Sequence, residues 1–423
     1  MRTLSDWLAW QETLHPSTIA LGLDRVAVVK DRLALTQPAP VVITVGGTNG
    51  KGSCVAMLEA IYRAAGYRTG AYTSPHLLRY NERIRVNGVD VDDDELCASF
   101  ARIDEARGDI SLTYFEFGTL AALEIFARTD LDVAILEVGL GGRLDAVNIV
   151  DADVALITTI GIDHTEYLGP DRESIGFEKA GILRADRPAV CGDPDPPQSL
   201  RNYAQQLNAT LYCYQRDFRV QVQAEGWTWS GLGQSRPGMP QPRMRGEYQL
   251  QNAASVLAVV QLLQEKLPAA QSHIREGLAS ALVPGRFQYL PTHVPTILDV
   301  AHNPHAAEAL AQTLRAQTIQ GRTLAVFGML KDKDIAGVVR ALAPCVAEWH
   351  CISLPGPRGA QAWELATMLQ AGSVSGLVIL HSDIEDAYAA ATAAACAQDR
   401  IVVFGSFYTV AGLLAMGIIK KVV

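Results

Sequence analysis

The stretch Val41-Val42-Ile43-Thr44-Val45-Gly46-Gly47-Thr48-Asn49-Gly50-Lys51-Gly52-Ser53 leaves the chain few folds to adopt. Its β-branched half reads as a strand buried on both faces, and its glycine-dense half as a tight turn. Val55, Leu58, Ile61 and Tyr62 then recur at helical spacing. Strand, glycine turn and helix in that order form a βα unit whose loop amides and helix N-terminus face an anion. Lys51 is placed to reach outer phosphates, and Ser53 to hold a divalent cation. Two positions depart from the usual phosphate-loop pattern. Gly52 separates Lys51 from the hydroxyl, and Val45 stands where a glycine is normally found. The alternative is a plain glycine turn closing a βα unit; the lysine and hydroxyl together favour phosphate.

The rest of the chain fits an α/β protein. Apolar runs without alternation occur at 41–45, 133–138, 154–159, 296–300, 323–327, 377–380 and 401–404, the pattern of parallel strands covered on both faces. Between them, 117–128, 251–263, 306–314 and 387–395 show helical spacing. The segment 187–244, with its prolines and Trp227 and Trp229, reads as an antiparallel or irregular annex. At 423 residues more than one core is expected. The boundary is placed at Pro284-Gly285-Arg286, giving an N-terminal domain of 1–284 and a C-terminal one of 285–423.

Charge and cysteine usage narrow the function classes. A net charge of −9 with no basic run argues against a nucleic-acid partner. Seven scattered cysteines without a CxxC pair read as reduced thiols of a cytoplasmic protein. No secretory signal and no apolar run of membrane-spanning length stands out, so no membrane role is expected.

Further polar clusters follow strand-like runs, where α/β proteins bind ligands. Ser74, in a loop that Pro75 keeps from turning helical, offers a metal oxygen. In the same loop Arg79, Arg83 and Arg85 either meet anions or are simply solvated. Glu137 ends an apolar strand, and a buried carboxylate there needs a cation or a salt bridge; P-loop enzymes place a metal-ligating acid in this position. His164 follows a third strand as a ligand or a hydrogen-bonding loop residue. Lys179 precedes a glycine at a helix end, where a solvated lysine or a dipole partner is the default. In the second half Asp299 is placed to accept from a ribose hydroxyl and His302 to lie near phosphate. Arg286 suits a phosphate or an interdomain ion pair, and Asn303 a helix cap.

Gly47-Thr48-Asn49-Gly50-Lys51-Gly52-Ser53, Ser74-Pro75-His76-Leu77, Glu137 to Asp145, Asp163-His164-Thr165, Glu178-Lys179-Ala180-Gly181-Ile182 and Asp299-Val300-Ala301-His302-Asn303-Pro304 occur in this order. Together they resemble the folylpolyglutamate synthase/dihydrofolate synthase branch of the Mur ligase family, from about Trp7 to Ala411. Ser111 to Phe117 looks like the bacterial bifunctional type, and the Gly52 insertion is the family's own form of the loop.

The resemblance implies a P-loop ATPase domain of Mur-ligase type followed by a smaller Rossmann-like domain completing the ATP and glutamate site. It implies an ATP-dependent amide ligase that adds L-glutamate to 7,8-dihydropteroate and then to reduced folates through an acyl phosphate. It carries ATP over to Thr48, Asn49, Gly50, Lys51, Gly52 and Ser53. Asn252, Arg286, Asp299 and His302 match nucleotide-contacting positions attributed to the second domain. Two Mg²⁺ sites would draw on Ser53, Ser74, Glu137, His164 and Lys179, with Lys51, His164 and Lys179 serving catalysis. Lys179 matches a lysine carbamylated in the family, and a monovalent cation is compatible with the resemblance. The pterin pocket would use Ala20, Leu21, Gly22 and Leu23, then Thr113, Tyr114, Phe115 and Glu116, then Leu144, Asp145 and Ala146. Here the chain departs from the pattern twice: Ala20 stands where an acid is frequent, and Val147 where threonine is usual. A monomer is implied. The alternatives are a monofunctional folylpolyglutamate synthase and, from another class, a P-loop nucleotide-regulated binding module.

Overall fold

The computed structural model describes residues 2–17, 19–372, 374 and 376–417, so 418–423 of the expected C-terminal domain lie outside the described residues. The chain forms two compact units. One runs up to Arg243 and resumes over Gln249–Leu282; the other comprises Met244–Tyr248 and the chain from Val283.

The first unit opens with α1 (Leu4–Leu14) and α2 (Asp24–Arg32). It continues through β1 (Val41–Gly46), α3 (Lys51–Ala64), β2 (Thr69–Tyr72) and a hairpin of β3 (Ile84–Val86) and β4 (Val89–Asp90). After α4 (Asp93–Arg107) and α5 (Tyr114–Arg128) come β5 (Val133–Glu137), β6 (Val154–Ile157), α6 (Thr165–Leu168), α7 (Arg172–Ala180), β7 (Ala189–Cys191), α8 (Gln198–Gln206) and β8 (Leu211–Cys213). The sheet runs β4-β3-β2-β5-β1-β6-β7-β8, parallel from β2 to β8 with the hairpin antiparallel at its edge. Every residue of β1, β5 and β6 is buried, as a sheet packed on both faces requires. Register places Val45 beside Glu137 and Gly46 beside Ile157, so β1, β5 and β6 end at one level. Loops leaving those ends meet above the sheet.

The expected annex at 187–244 is only partly correct. Residues 189–213 instead supply β7, α8 and β8 to the main parallel sheet. Their strands are three residues each, too short for an apolar run to stand out. The antiparallel part is a three-stranded sheet of β9 (Phe218–Val222), β10 (Trp227–Gly231) and β11 (Gln234–Met239). It buries Trp227 and Trp229, and the Trp229 indole donates to the Ala254 carbonyl at 3.0 Å. That contact anchors α9 (Glu247–Leu262), which is followed by α10 (Gln271–Ser280). The α10 helix approaches α3 so closely that a Cβ on Gly277 would lie 2.6 Å from the Ile61 backbone nitrogen. Only glycine permits that approach.

The second unit holds β12 (Gln288–Leu290), β13 (Thr296–Asp299), α11 (Pro304–Ala316), β14 (Thr323–Phe327), α12 (Ile335–Leu342) and β15 (Glu348–Ile352). It ends with α13 (Ala362–Ala371), β16 (Leu377–His381), α14 (Ile384–Ala394), β17 (Arg400–Phe404) and α15 (Phe407–Ala415). Strand order is β12-β13-β17-β14-β15-β16, parallel except for β12. Phe327, Trp349 and Phe404 pack against one another in its core. Strand β15 was not expected because Glu348 and His350 interrupt its apolar residues. Both are buried with polar partners: Arg322 reaches Glu348 at 3.2 Å, and His350 Nδ1 lies 2.9 Å from His381 Nε2. Among the described residues no helix is long and apolar enough to cross a membrane.

Candidate active site

The phosphate-loop geometry follows from two left-handed glycines. Gly47 has φ +137° and Gly50 +89°, and Gly50 caps α3. Neither position has room for a side chain. A Cβ on Gly47 would fall 1.9 Å from Thr158 Oγ1, and one on Gly50 2.5 Å from Asn252 Oδ1. The end of β6 then clamps the loop. Thr48 N donates to Thr159 O at 2.6 Å, and Thr158 Oγ1 donates to Asn49 O at 2.6 Å. Gly161 N donates to Thr48 Oγ1 at 3.0 Å. Lys51 Nζ donates to the Gly47 and Thr48 carbonyls at 3.1 and 3.3 Å, curling over the loop it opens from. A helix N-terminus that opens from a glycine loop, with a lysine curled over it, suits a polyphosphate.

Ser53 is buried one turn into α3, and its hydroxyl accepts from Gln249 Nε2 at 3.2 Å. Gln249 Oε1 in turn accepts from Asn252 Nδ2 at 3.1 Å. Sequence reasoning missed Gln249, although it stands one helical turn before Asn252 and therefore on the same face. It also missed Thr158. Asn252 itself was attributed to the second domain; the structure corrects this, because α9 carries it into the first unit beside Gly50.

Glu137, 4% exposed at the end of β5, accepts from Ser74 N at 3.2 Å. The missing Cβ of Gly52 would lie 3.6 Å from Glu137 Oε2. Hydroxyls at Ser53 and Ser74 and one carboxylate make a hard-oxygen donor set suited to Mg²⁺ or Mn²⁺ completed by phosphate and water. His164 follows on the next loop. It adopts φ +51°, an uncommon left-handed conformation for a non-glycine residue, as the cap of α6. Its backbone N–H donates to Asp163 at 2.8 Å, and its Nε2 lies 3.9 Å from the same carboxylate.

Lys179 overturns its default reading. It does sit at the end of α7 before a glycine, but it is 3% exposed rather than solvated. Burial pushes its amine down to about 7, and the Lys51 cation adds to the shift, while Asp163 and Asp145 oppose it. Asp145 responds to the same surroundings in the opposite sense. Burial raises its carboxyl to about 6, against hydrogen bonds from the backbone of Leu140 at 2.8 Å and Val147 at 3.0 Å. Glu178 is held by Arg143 at 2.8 Å.

A cavity of about 590 Å³ adjoins these groups. Ala20, Leu21 and Gly22 line it, with Thr113, Tyr114, Phe115 and Glu116, and with Leu144, Asp145 and Ala146; Leu23 does not. Ser74 and His164 stand on its wall too. Gly22 N donates to Leu144 O at 3.2 Å, and Arg25 bridges the Ala20 carbonyl at 3.0 Å and Glu116 at 2.8 Å. Three segments far apart in sequence thus form one wall.

The second unit has its own cluster at the C-terminal end of β13. Asp299 is buried and accepts from Phe287 N at 2.9 Å and Ala301 N at 2.8 Å. Burial raises its carboxyl, against the Arg286 cation. Arg286 lies over the Phe407 ring at 5.5 Å, and His302 packs on the same ring at 6.0 Å. Phe407 was not singled out from the sequence. Asn303 caps α11 by accepting from Ala306 N at 2.9 Å.

Family models match on both sides of the chain. The Mur ligase middle domain matches residues 45–260, and the Mur ligase glutamate ligase domain matches 285–407. The chain is 49% identical over 411 residues to the dihydrofolate synthase/folylpolyglutamate synthase of Escherichia coli (strain K12), covering 97% of this chain and 94% of that protein. It is similar to the structure of E. coli FolC in complex with DHPP and ADP, with a TM-score of 0.95 and 47% identity over 99% of both chains. A bifunctional folylpolyglutamate synthase/dihydrofolate synthase with Mn, AMPPNP and L-glutamate bound matches with a TM-score of 0.91 and 51% identity over 98% of both chains.

Proposed function

The chain belongs to the dihydrofolate synthase/folylpolyglutamate synthase family of Mur ligases, and we propose that its first unit holds ATP, two Mg²⁺ ions and a pteroyl acceptor in the arrangement just described. It is an ATP-dependent ligase of folate metabolism. It joins L-glutamate to 7,8-dihydropteroate, giving dihydrofolate, and adds further glutamates to reduced folates. ATP and a divalent cation serve the reaction.

A carboxylate is a poor acyl donor because its oxide is a poor leaving group. Transfer of the γ-phosphoryl group onto it breaks the bond to ADP and forms an acyl phosphate. The neutral amine of glutamate then attacks that carbonyl, a C–N bond forms, the C–O bond to phosphate breaks, and the nitrogen's proton leaves with the departing phosphate or to water. What the protein supplies is positioning and charge neutralisation. Lys51 and the loop from Thr48 to Ser53, through its amides beyond Thr48, take the β- and γ-phosphates, with Asn252 beside them. Ser53, Ser74 and Glu137 would hold the first cation, and Glu137 and His164 the second; Mg²⁺ there would neutralise charge shared by the phosphate oxygens.

Lys179 suits carbamylation through its surroundings: burial and the Lys51 cation lower its amine to about 7, which favours the neutral form that adds to CO₂ with loss of a proton. The product is an anion, which relieves the repulsion from Lys51. Arg286, Asp299 and His302 are assigned to the nucleotide, and the acceptor to the cavity lined by Thr113 to Glu116 and Leu144 to Ala146. A monomer in the cytoplasm, without nucleic-acid or membrane partners, completes the proposal, and a monovalent cation is compatible with it.

The observation that carries this reading is the convergence of the phosphate loop, Ser74, Glu137 and His164 on one end of the sheet beside a cavity of about 590 Å³. The test is phosphate release with dihydropteroate or tetrahydrofolate as sole acceptor. Release should require both acceptor and glutamate and should give amide product. Glutamate-independent turnover without amide would overturn the ligase assignment, and activity with tetrahydrofolate alone would leave a monofunctional synthase.

A further inference from the structure

The three arginines of the loop after β2 look alike in sequence, and the structure separates them. Arg79 pairs with Asp93 at 3.1 Å and Arg85 with Glu59 at 2.8 Å, so both charges are balanced within the protein. Arg83 is different. It is 8% exposed, and among the described residues no carboxylate lies within 4 Å of its guanidinium. Its Nε donates to His76 Nδ1 at 2.8 Å, and the guanidinium lies over the rings of Tyr80 at 5.2 Å and Tyr114 at 5.5 Å. Because Nδ1 accepts this bond it carries no proton, so the imidazole meets Arg83 as a neutral acceptor with its proton on Nε2. The His76 acceptor, the Tyr72 hydroxyl and two aromatic faces hold the guanidinium, all of them neutral, and none supplies a counter-charge in contact with it.

Burying a cation without a counter-anion is costly, so proteins rarely keep one unless a ligand supplies the anion. Arg83 lines the cavity, on a wall it shares with Ser74. We propose that Arg83 is the receptor for the carboxylate of the acceptor, the benzoate-type group that the reaction activates. The proposal rests on the reading that a pteroyl acceptor enters this cavity. A planar guanidinium can meet a carboxylate through two parallel N–H···O bonds, which orients as well as attracts. The same contact draws charge from the attacking oxygen, so Arg83 contributes to acceptor binding more than to the rate of transfer. The KM for the acceptor should therefore move more than kcat.

The test measures binding to the full-length enzyme with MgADP present. Two probes are used, pteroate and the carboxamide in which its carboxylate is replaced by an amide. The wild type should favour pteroate by roughly 10- to 100-fold, as a charge-assisted pair displacing a neutral one implies. Arg83→Gln should bind both probes equally while holding the carboxamide as well as the wild type does. Arg83→Lys, which keeps the charge but not the fork, should retain part of the preference. Arg83→Gln keeping the full preference would overturn the proposal, as would Arg83→Gln and Arg83→Lys giving the same ratio. Ala20→Trp, which puts a ring into the cavity, separates the two levels. It should weaken both probes together. If it leaves both unchanged, the acceptor binds elsewhere and the cavity reading fails; if it weakens both while Arg83→Gln keeps the preference, only the role of Arg83 fails.

Discussion

Gln249 Nε2 donates to Ser53 Oγ at 3.2 Å across 196 residues of chain. The bond occupies one lone pair of the hydroxyl and leaves the other for a cation. Gln249 is fully buried, and its carbonyl oxygen is used by Asn252, so neither end of the amide is free to turn. Gln249→Leu should therefore release the Ser53 rotor without emptying the core. The apparent Mg²⁺ requirement at fixed ATP should rise by about 10-fold, the scale on which partners that orient metal ligands act. A Mg²⁺ titration with the midpoint unchanged would detach Gln249 from the metal site.

In the proposed function Lys51 supplies the charge that the γ-phosphoryl group meets during transfer. Its ammonium is held by the Gly47 and Thr48 carbonyls, so it stands over the loop before any nucleotide arrives. Lys51→Ala should lower kcat by at least about 100-fold, the loss typical of one preorganised charge or donor. ADP affinity should fall far less, because the loop amides and the N-terminus of α3 remain. Single-turnover transfer and ADP titration together check this.

Much of this arrangement was legible in the sequence, because glycine, lysine and strand-end carboxylates each have a strong physical signature. The strand before Gly47 and the acid at Glu137 could be read one at a time. Lys179 could not. Nothing local distinguishes a buried lysine at a helix end from a solvated one; the difference lies in Lys51, Asp145 and Asp163, brought close by the fold. The same holds for Gln249 and Arg83, whose roles depend on a neighbour far away or on a carboxylate that is missing. Strand β15 was hidden because its buried Glu348 and His350 look like surface residues until their partners are known. Short strands β7 and β8 lacked the length to announce themselves.

Asp145 gives a pH dependence of defined sign. Its folded carboxyl is raised from 3.8 to about 6, so the folded chain binds this proton more tightly than the unfolded one. The favourable contribution is complete below about pH 4 and is lost as pH rises through about 6. Function runs the other way. Ionised Asp145 accepts from both Leu140 N and Val147 N and so shapes the cavity wall; protonation removes one acceptor. The KM for dihydropteroate should rise as pH falls through about 6, and Asp145→Ala should abolish that inflection. The same variant removes the acceptor of the half-buried Leu140 N–H and of the buried Val147 N–H, and the latter alone should cost about 1–3 kcal/mol. Denaturant unfolding and KM measured from pH 5 to 8 test the two parts separately.

Lys179 reverses the sign. Its folded amine is lowered from 10.5 to about 7, so between those values the unfolded chain binds the proton and the folded chain does not. Stability attributable to this group is therefore lowest below about pH 7 and grows as pH rises towards 10.5. Lys179→Met, with a side chain of similar length and no charge, should remove that slope and be more stable than the wild type at pH 6 if the residue is unmodified. Carbamylation changes the outcome, because the carbamate carries a negative charge beside Lys51 and is lost in acid. With ¹³C-labelled bicarbonate the wild type should then show a carbamate signal that disappears below about pH 6 together with activity, and Lys179→Met should show neither signal nor activity. A fully active Lys179→Met would remove the lysine from the chemistry. An active wild type with no labelled carbon would leave it as a buried neutral amine whose lowered proton affinity serves only to spare Lys51 a neighbouring cation.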